Sequence, residues 1–273
     1  MSPRYLEFPP PPELTPWIAC FWIYENPSET DGQPVVPDGR CELILQLASP
    51  YREVGEVSDQ PAMLLAGQLT RPLQLVPTGP IRVLAARFRT EGAHAYVQQP
   101  SDTLTDQRTP LGLLKGPRAD GLLARAIAAK GDAARLALLA SHIWEEVRSN
   151  PVDAVLTQAV EALRAGPFSL AGLSAATGLS PRALQRLFAL KVGLPPRELA
   201  SILRFRRVFD ALADTTVETW TAAAQAAGYF DHPQMARDFQ RFVGCSASDF
   251  VANRGGLAAH LVANLQGAAA RPS

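Results

Sequence analysis

Between residues 16 and 88 the apolar positions come in short runs that are β-branched, aromatic or alternating. The runs are "ACFWIY", "CELILQL", "MLLAG", "LQLV" and "IRVLAARF", divided by Pro, Gly and Asp clusters. In the second, Leu43, Leu45 and Leu47 fall on one face, which is the period of two that a strand buried on one side requires. Asp38 and Gly39 supply a turn just before it. Five short strands in so little chain predict a small barrel or sandwich, because a sheet of that size has to hide its edges.

Beyond residue 90 the period lengthens to that of a helix. "EGAHAYV" and "PLGLL" begin the helical part, and "RADGLLARAIAA", "DAARLALLASHIWEEVRS" and "PVDAVLTQAVEALRAG" continue it. Asp132 and Pro151 act as start signals, Gly131 and Gly166 as stops. The stripe Leu136, Leu139, Ile143 and Val147 suits either an intramolecular core or packing between two subunits. After Arg254 one weak helix, "LAAHLVANL", precedes an Ala/Gly/Pro-rich end expected to fray.

From Ser169 to Phe250 one pattern is written twice. Ser169 can cap a short Ala-rich helix ending at Gly178, and Ser180 with Pro181 opens a second helix running to Lys191. In the second copy Thr219 can cap "WTAAAQAAG", which closes at Gly228, and Asp231 caps the next helix with Gln234 at the capping-box position. A shift of 51 residues lays Arg186 on Arg237, Phe188 on Phe239, Gly193 on Gly244, Glu198 on Asp249 and Leu199 on Phe250. The Gly178 to Gly228 offset is 50, so the second turn carries one extra residue. Two tandem copies of a helix-turn-helix unit explain the register.

In the first copy Leu184, Leu187 and Phe188 share an apolar face, and Arg182, Gln185, Arg186 and Ala189 share the other. Met235, Phe239 and Phe242 form the matching stripe in the second, leaving His232, Gln234 and Arg237 outward. Arg and Gln carry the paired donors and acceptors that suit guanine and adenine edges in the major groove, and a recognition helix meets bases with its N-terminal residues.

"SLAGLSAATGLSPRALQRLF" and "WTAAAQAAGYFDHPQMARDFQRFVGCSASDF" resemble the two halves of the DNA-binding domain of AraC/XylS-type transcription regulators. The resemblance covers roughly the last third of the chain. It implies a long joining helix, here residues 197 to about 213, and two recognition helices entering successive major grooves of double-stranded DNA. It also implies base-reading roles for Arg182, Gln185, Arg186, His232, Gln234 and Arg237. Ala247 stands where the family usually has Pro, and Ala223 where it has a larger aliphatic, which bears on packing. "VVPDGRCELIL", "GQLTRP" and "AARF" resemble a β-rich N-terminal domain that accompanies this reader in a subset of the family.

The expected fold is therefore α+β. It comprises a β-rich sensor domain at 1–115, a helical linker and candidate dimerisation region at 116–165, an all-α domain of two helix-turn-helix units at 166–256, and a tail at 257–273. The 273 residues, 47% hydrophobic, suffice for two cores. Formal net charge is zero, yet Lys and Arg stand against Asp and Glu as 9 to 13 in residues 1–115, 6 to 6 in 116–165 and 10 to 7 in 166–256. Only the C-terminal part is basic, as expected where one domain approaches phosphates.

Control through the sensor by a small molecule or a partner is expected, with Trp22, Asp38, Glu42 and Arg87 as contacts of a small-molecule effector; Trp17, Phe21, Tyr24, Arg40 and Arg89 are further candidates. Other candidate partners are RNA polymerase and a second copy of the chain. Cys20, Cys41 and Cys245 are widely spaced and read as small buried hydrophobes, while His94 and His142 stand without the neighbours a metal site or catalytic triad needs. No cofactor and no metal are expected. An enzyme built on the N-terminal barrel with a DNA-binding appendage is the alternative function, and it lacks a nucleophile or metal constellation in residues 1–115. Residues 1–17 hold no signal-like apolar core and no run of apolar residues is of membrane-spanning length, so a cytoplasmic location is expected.

Overall fold

The strand Ile81–Phe88 (β8) is buried on both faces, and its alternation sets the N-terminal architecture in the computed structural model, which describes residues 3–28, 30, 32–213, 220–246 and 249. Leu84, Ala86 and Phe88 point one way, into a core with Phe21, Ile23, Leu43 and Leu45. Val83 and Ala85 point the other way, beside Tyr24 and Tyr51, as a period of two demands.

The strand pairs antiparallel with β2 (Ile18–Asn26) and β4 (Glu42–Gln46). With β1 (Arg4–Phe8), β6 (Met63–Ala66) and β9 (Arg108–Pro110) they form a sheet of order β1-β2-β8-β4-β6-β9. A second sheet, β3-β7-β5, comprises Gln33–Val35, Leu73–Pro77 and Tyr51–Glu53. The five expected strands are β2, β4, β6, β7 and β8. They do not close into one hoop: β1 and β9 are edges, and the smaller sheet covers one face of the larger. Three of the four added strands, β3, β5 and β9, are only three residues long, too short for a readable period, and β1 sits in a Pro-rich stretch.

The opposite face of the larger sheet is covered by α1 (Ala93–Val97), α2 (Leu111–Lys115), α3 (Leu122–Ala128) and α4 (Asp132–Val147). Leu139, Ile143 and Val147 are fully buried there and Leu136 packs at the margin, so the stripe serves the molecule's own core rather than standing free for a second subunit. A buried ion pair ties α2 to α4: Lys115 Nζ lies 2.8 Å from Glu146 Oε2 and also donates to the Tyr96 carbonyl. Tyr96 Oη meets His142 Nε2 at 2.9 Å.

The segment expected to be one linker divides between two cores. While α3 and α4 pack on the sheet, α5 (Ala154–Ala165) joins the C-terminal helices through Leu156, Ala159, Val160 and Leu163. Asp153, rather than Pro151, starts α5: its Oδ1 accepts from the amides of Val155 and Leu156 at 2.9 and 3.0 Å. There follow α6 (Leu170–Thr177), α7 (Pro181–Lys191), α8 (Pro196–Ala213), α9 (Trp220–Ala226) and α10 (His232–Val243).

The long helix α8 is the strut of this half. Phe205 stands 5.2 Å from Phe209, 5.4 Å from Phe239 and 5.3 Å from Phe242, ring centroid to ring centroid, so one residue of α8 gathers the apolar face of α10. The two halves touch. Val36, from the turn after β3, is buried in the C-terminal core, and Thr105 Oγ1 donates to the Gly193 carbonyl at 2.6 Å. Arg164 of α5 grips Glu91 with Nη1 and Nη2 at 3.2 and 3.0 Å. Burial alone would raise the Glu91 carboxyl, but Arg164, with help from Arg89, holds it below the ordinary value.

Candidate nucleic-acid interface and ligand cavity

The helices α7 and α10 both begin at a side-chain cap. Ser180 Oγ accepts from Ala183 N at 3.3 Å with Pro181 at the first helical position, and Asp231 Oδ1 accepts from Gln234 N at 2.7 Å. Ser169 caps α6 through Gly172 N at 3.1 Å. The matching Thr219 lies outside the described residues, as do Ala247, Phe250 and everything after Phe250; Ala223 is fully buried against α8 and its neighbours.

The apolar stripes go inward: Leu184, Phe188, Met235, Phe239 and Phe242 are buried. Arg182, Gln185, Arg186 and Arg237 are exposed and Gln234 half-buried, so the N-terminal half does not cover these faces. The His232 side chain lies outside the described residues. The arginines sort into two groups. Arg204 pairs with Asp238 at 2.7 Å and lies over the Tyr229 ring at 4.5 Å, and Arg241 pairs with Glu198; these five residues fasten α10 and its approach to α8. Arg182, Arg186 and Arg237 have no ion pair or hydrogen bond among the described side chains, which leaves three guanidinium forks open to a partner.

The residue that breaks the repeat register is Phe230. In the first turn one residue, Leu179, separates Gly178 from Ser180 and packs on the core. In the second, Tyr229 is buried and Phe230, directly before the cap Asp231, is 98% exposed. A hydrophobic residue there normally packs on the first turn of the helix; this one faces outward. The sequence showed the extra residue but gave no sign of which of the two aromatic neighbours would be exposed.

Between the two sheets lies a cavity of about 360 Å³. All four expected effector contacts, Trp22, Asp38, Glu42 and Arg87, line it, and so do Tyr24 and Arg40. Trp17 and Phe21 instead belong to the core beneath the sheet, and Arg89 pairs with Glu91 away from the cavity. The interior is amphiphilic. Ile44, Leu64, Leu75 and Val83 provide an apolar wall, while the strand register sets Arg87, Glu42, Ala66 and Arg108 in one row across β8, β4, β6 and β9.

Arg87 is only 6% exposed. Its Nε lies 2.7 Å from Glu42 Oε1 and its Nη1 3.0 Å from Glu7 Oε1, and Trp22 Nε1 donates to the same Glu42 oxygen at 3.1 Å. Burial would lower the Arg87 pKa, but Glu42 and its other neighbours hold it well above the ordinary value, so it stays charged. Among the described residues no group of three or more His, Cys, Asp and Glu is placed to hold a metal, and no helix is long and apolar enough to cross a membrane. Burial pushes the Cys41 thiol up to about 12, which keeps it out of thiolate chemistry near neutral pH.

Two family models match the chain. Residues 6–110 match a domain of unknown function, DUF6597, and residues 173–253 match a helix-turn-helix domain spanning both helix pairs. Residues 173–253 are an AraC-type helix-turn-helix domain. Among solved structures, a probable AraC family transcriptional regulator from Rhodopseudomonas palustris is 29% identical over 36% of this chain and 94% of its own, with a TM-score of 0.32. ToxT from Vibrio cholerae is 11% identical over 92% of this chain and 98% of its own, with a TM-score of 0.47. Wild-type ToxT with an unsaturated fatty acid bound is 12% identical over 84% and 93%, with a TM-score of 0.45. No curated protein matches.

The cavity adjoins the AraC-type domain at one loop. Asp38 lines the cavity and lies 3.4 Å, through Oδ2, from Arg206 Nη1 of α8. Gly39, at φ +76°, presses so close that a methyl built there would stand 2.9 Å from Leu199 Cδ1 of the same helix. Sequence patterns singled out Asp38 as part of a turn and as a candidate effector contact; its reach to a residue 168 positions away had no local signal.

Proposed function

We propose that the chain is a sequence-specific transcription regulator in the cytoplasm that reads adjacent major grooves of promoter DNA with α7 and α10. Arg182, Gln185 and Arg186 make the contacts of the first helix, and His232, Gln234 and Arg237 those of the second. The observation that carries this is a repeated unit whose exposed faces hold unpaired arginines, Arg186 and Arg237, 51 residues apart in one register. A guanidinium fork matches guanine O6 and N7 in the major groove. The capped N-terminus of each helix adds free amides that favour a phosphate. Phe230, beside that end of α10, is placed to touch a thymine methyl or a deoxyribose.

The cavity between the sheets is the effector site on this reading, with Trp22, Asp38, Glu42 and Arg87 in its wall. Its volume falls at the small end of the roughly 300–1,000 Å³ of ligand pockets. Selection of bound duplexes from a random-sequence pool by the full chain tests the reading. A recovered motif supports it, and no enrichment over the input pool removes it.

A further inference from the structure

We propose that the cavity takes a small organic anion with an apolar body, held at its charged end by Arg40 and Arg108, and that α8 registers the ligand through Asp38 and Arg206. This rests on the reading of the cavity as the effector site. It goes further in naming what binds and how the DNA-binding half is told.

The argument starts from donors that lack acceptors. Three arginines line the cavity, and Arg87 is already paired with two carboxylates, Glu42 and Glu7. Arg108 pairs with Glu53, Nη2 to Oε2 at 2.7 Å, yet its Nη1 is buried without a hydrogen-bond partner. The Arg40 guanidinium makes no hydrogen bond or ion pair among the described residues. The Asp38 carboxylate beside it is engaged elsewhere, since Asp38 Oδ1 accepts from the Arg40 backbone amide at 3.0 Å and Oδ2 faces Arg206. Burial first, and then Arg206 beside it, push the Arg40 pKa down to about 10, so its surroundings work against a charge that is nevertheless present at neutral pH.

A buried guanidinium without an acceptor is costly, and a carboxylate meets it with charge-assisted, fork-matched bonds. A neutral acceptor would satisfy the donors but leave the like charges of Arg40 and Arg206 opposed. The apolar part of the cavity wall sets the rest of the ligand. Ile44, Leu64, Leu75 and Val83 offer nothing to a polar group.

The same loop closes one side of the cavity and rests on α8 through Val36, Asp38 and Gly39. An anion at Arg40 changes the field at Arg206 and competes with Asp38 for its donors. Ligand binding therefore shifts the contact between loop and helix, and a ligand that interacts differently with two placements of α8 shifts their populations. Coupling has to be reciprocal: DNA changes ligand affinity by the same factor that ligand changes DNA affinity.

The test uses the full chain and a series of straight-chain monocarboxylates, each paired with the primary amide of the same length. Thermal midpoint and Trp fluorescence report binding, since Trp22 lines the cavity. The acids should bind at least roughly tenfold more tightly than their amides, about one charge-assisted hydrogen bond. Arg40→Met should erase the preference and Arg40→Lys should keep part of it. Amides binding as tightly as acids, or an acid preference surviving in Arg40→Met, overturns the anion assignment while leaving the cavity a ligand site. If neither series binds, the anion assignment and the cavity reading both fall, whereas the DNA reading stands or falls on the duplex selection. For the coupling, a bound acid should change DNA affinity in the wild type and not in Arg206→Lys, which lies outside the cavity wall and should still bind the acid. An unchanged wild-type affinity overturns it.

Discussion

Replacing Arg186 or Arg237 by Ala separates DNA reading from folding, because neither side chain has an ion pair or hydrogen bond to lose among the described residues. Both are exposed, so each variant should unfold within about 0.5 kcal/mol of the wild type, the ordinary range for surface changes. A lost bidentate base contact costs about 1–3 kcal/mol, which is roughly a 5- to 150-fold rise in Kd. Arg204→Ala is the contrasting control. It breaks the 2.7 Å pair with Asp238 and the contact with the Tyr229 ring, so it should destabilise the fold. Fluorescence anisotropy on the selected duplex and on a scrambled one, at fixed salt, measures binding; urea denaturation measures folding. A loss confined to the selected duplex marks a base contact. An equal loss on both, with a salt slope reduced by about one, would mark a phosphate contact instead. If both variants bind the selected duplex as the wild type does, the assignment of α7 and α10 as readers is refuted.

Phe205→Ala should cost about 3–5 kcal/mol in unfolding free energy, since the ring is fully buried and meets Phe209, Phe239 and Phe242; a urea midpoint shift worth less than about 1 kcal/mol would deny α8 its role as strut. Phe230→Ser should leave the thermal midpoint unchanged and weaken DNA binding, and a drop in midpoint would show that the ring is packed rather than free. The Glu91–Arg164 pair should make stability pH-dependent. Because the folded carboxyl lies below its ordinary 4.5, its contribution is full above that value and fades as pH falls through the folded one. The midpoint gap between wild type and Glu91→Gln should then hold above about pH 5 and close below it; a gap that widens on acidification would contradict the pairing.

Much of the helix-turn-helix half was legible because its signals are local. Ser180, Pro181 and Asp231 mark helix starts by their own side-chain chemistry, and the repeat gives Arg186 and Arg237 a shared register without any structure. The strands with a period were legible too: Leu43 and Leu45 face the core as their alternation requires, which places Glu42 and Ile44 on the cavity side. What escaped has no local signature. Strands β3, β5 and β9 are stabilised by neighbours rather than by pattern. The assignment of α5 to the C-terminal core depends on which apolar surface it meets, because its stripe resembles that of α4. Arg40 was one of several cavity-side candidates in the sequence, and only the fold shows that its neighbours leave it unsatisfied.

The central claim is that two copies of one unit read neighbouring turns of a duplex from one side. A hydroxyl-radical and methylation-protection footprint of the full chain on its selected site tests this most directly. Two protected guanine-bearing patches about 10 base pairs apart on one face of the DNA are expected, one patch losing protection in Arg186→Ala and the other in Arg237→Ala. A single patch, or two on opposite faces, would contradict the account.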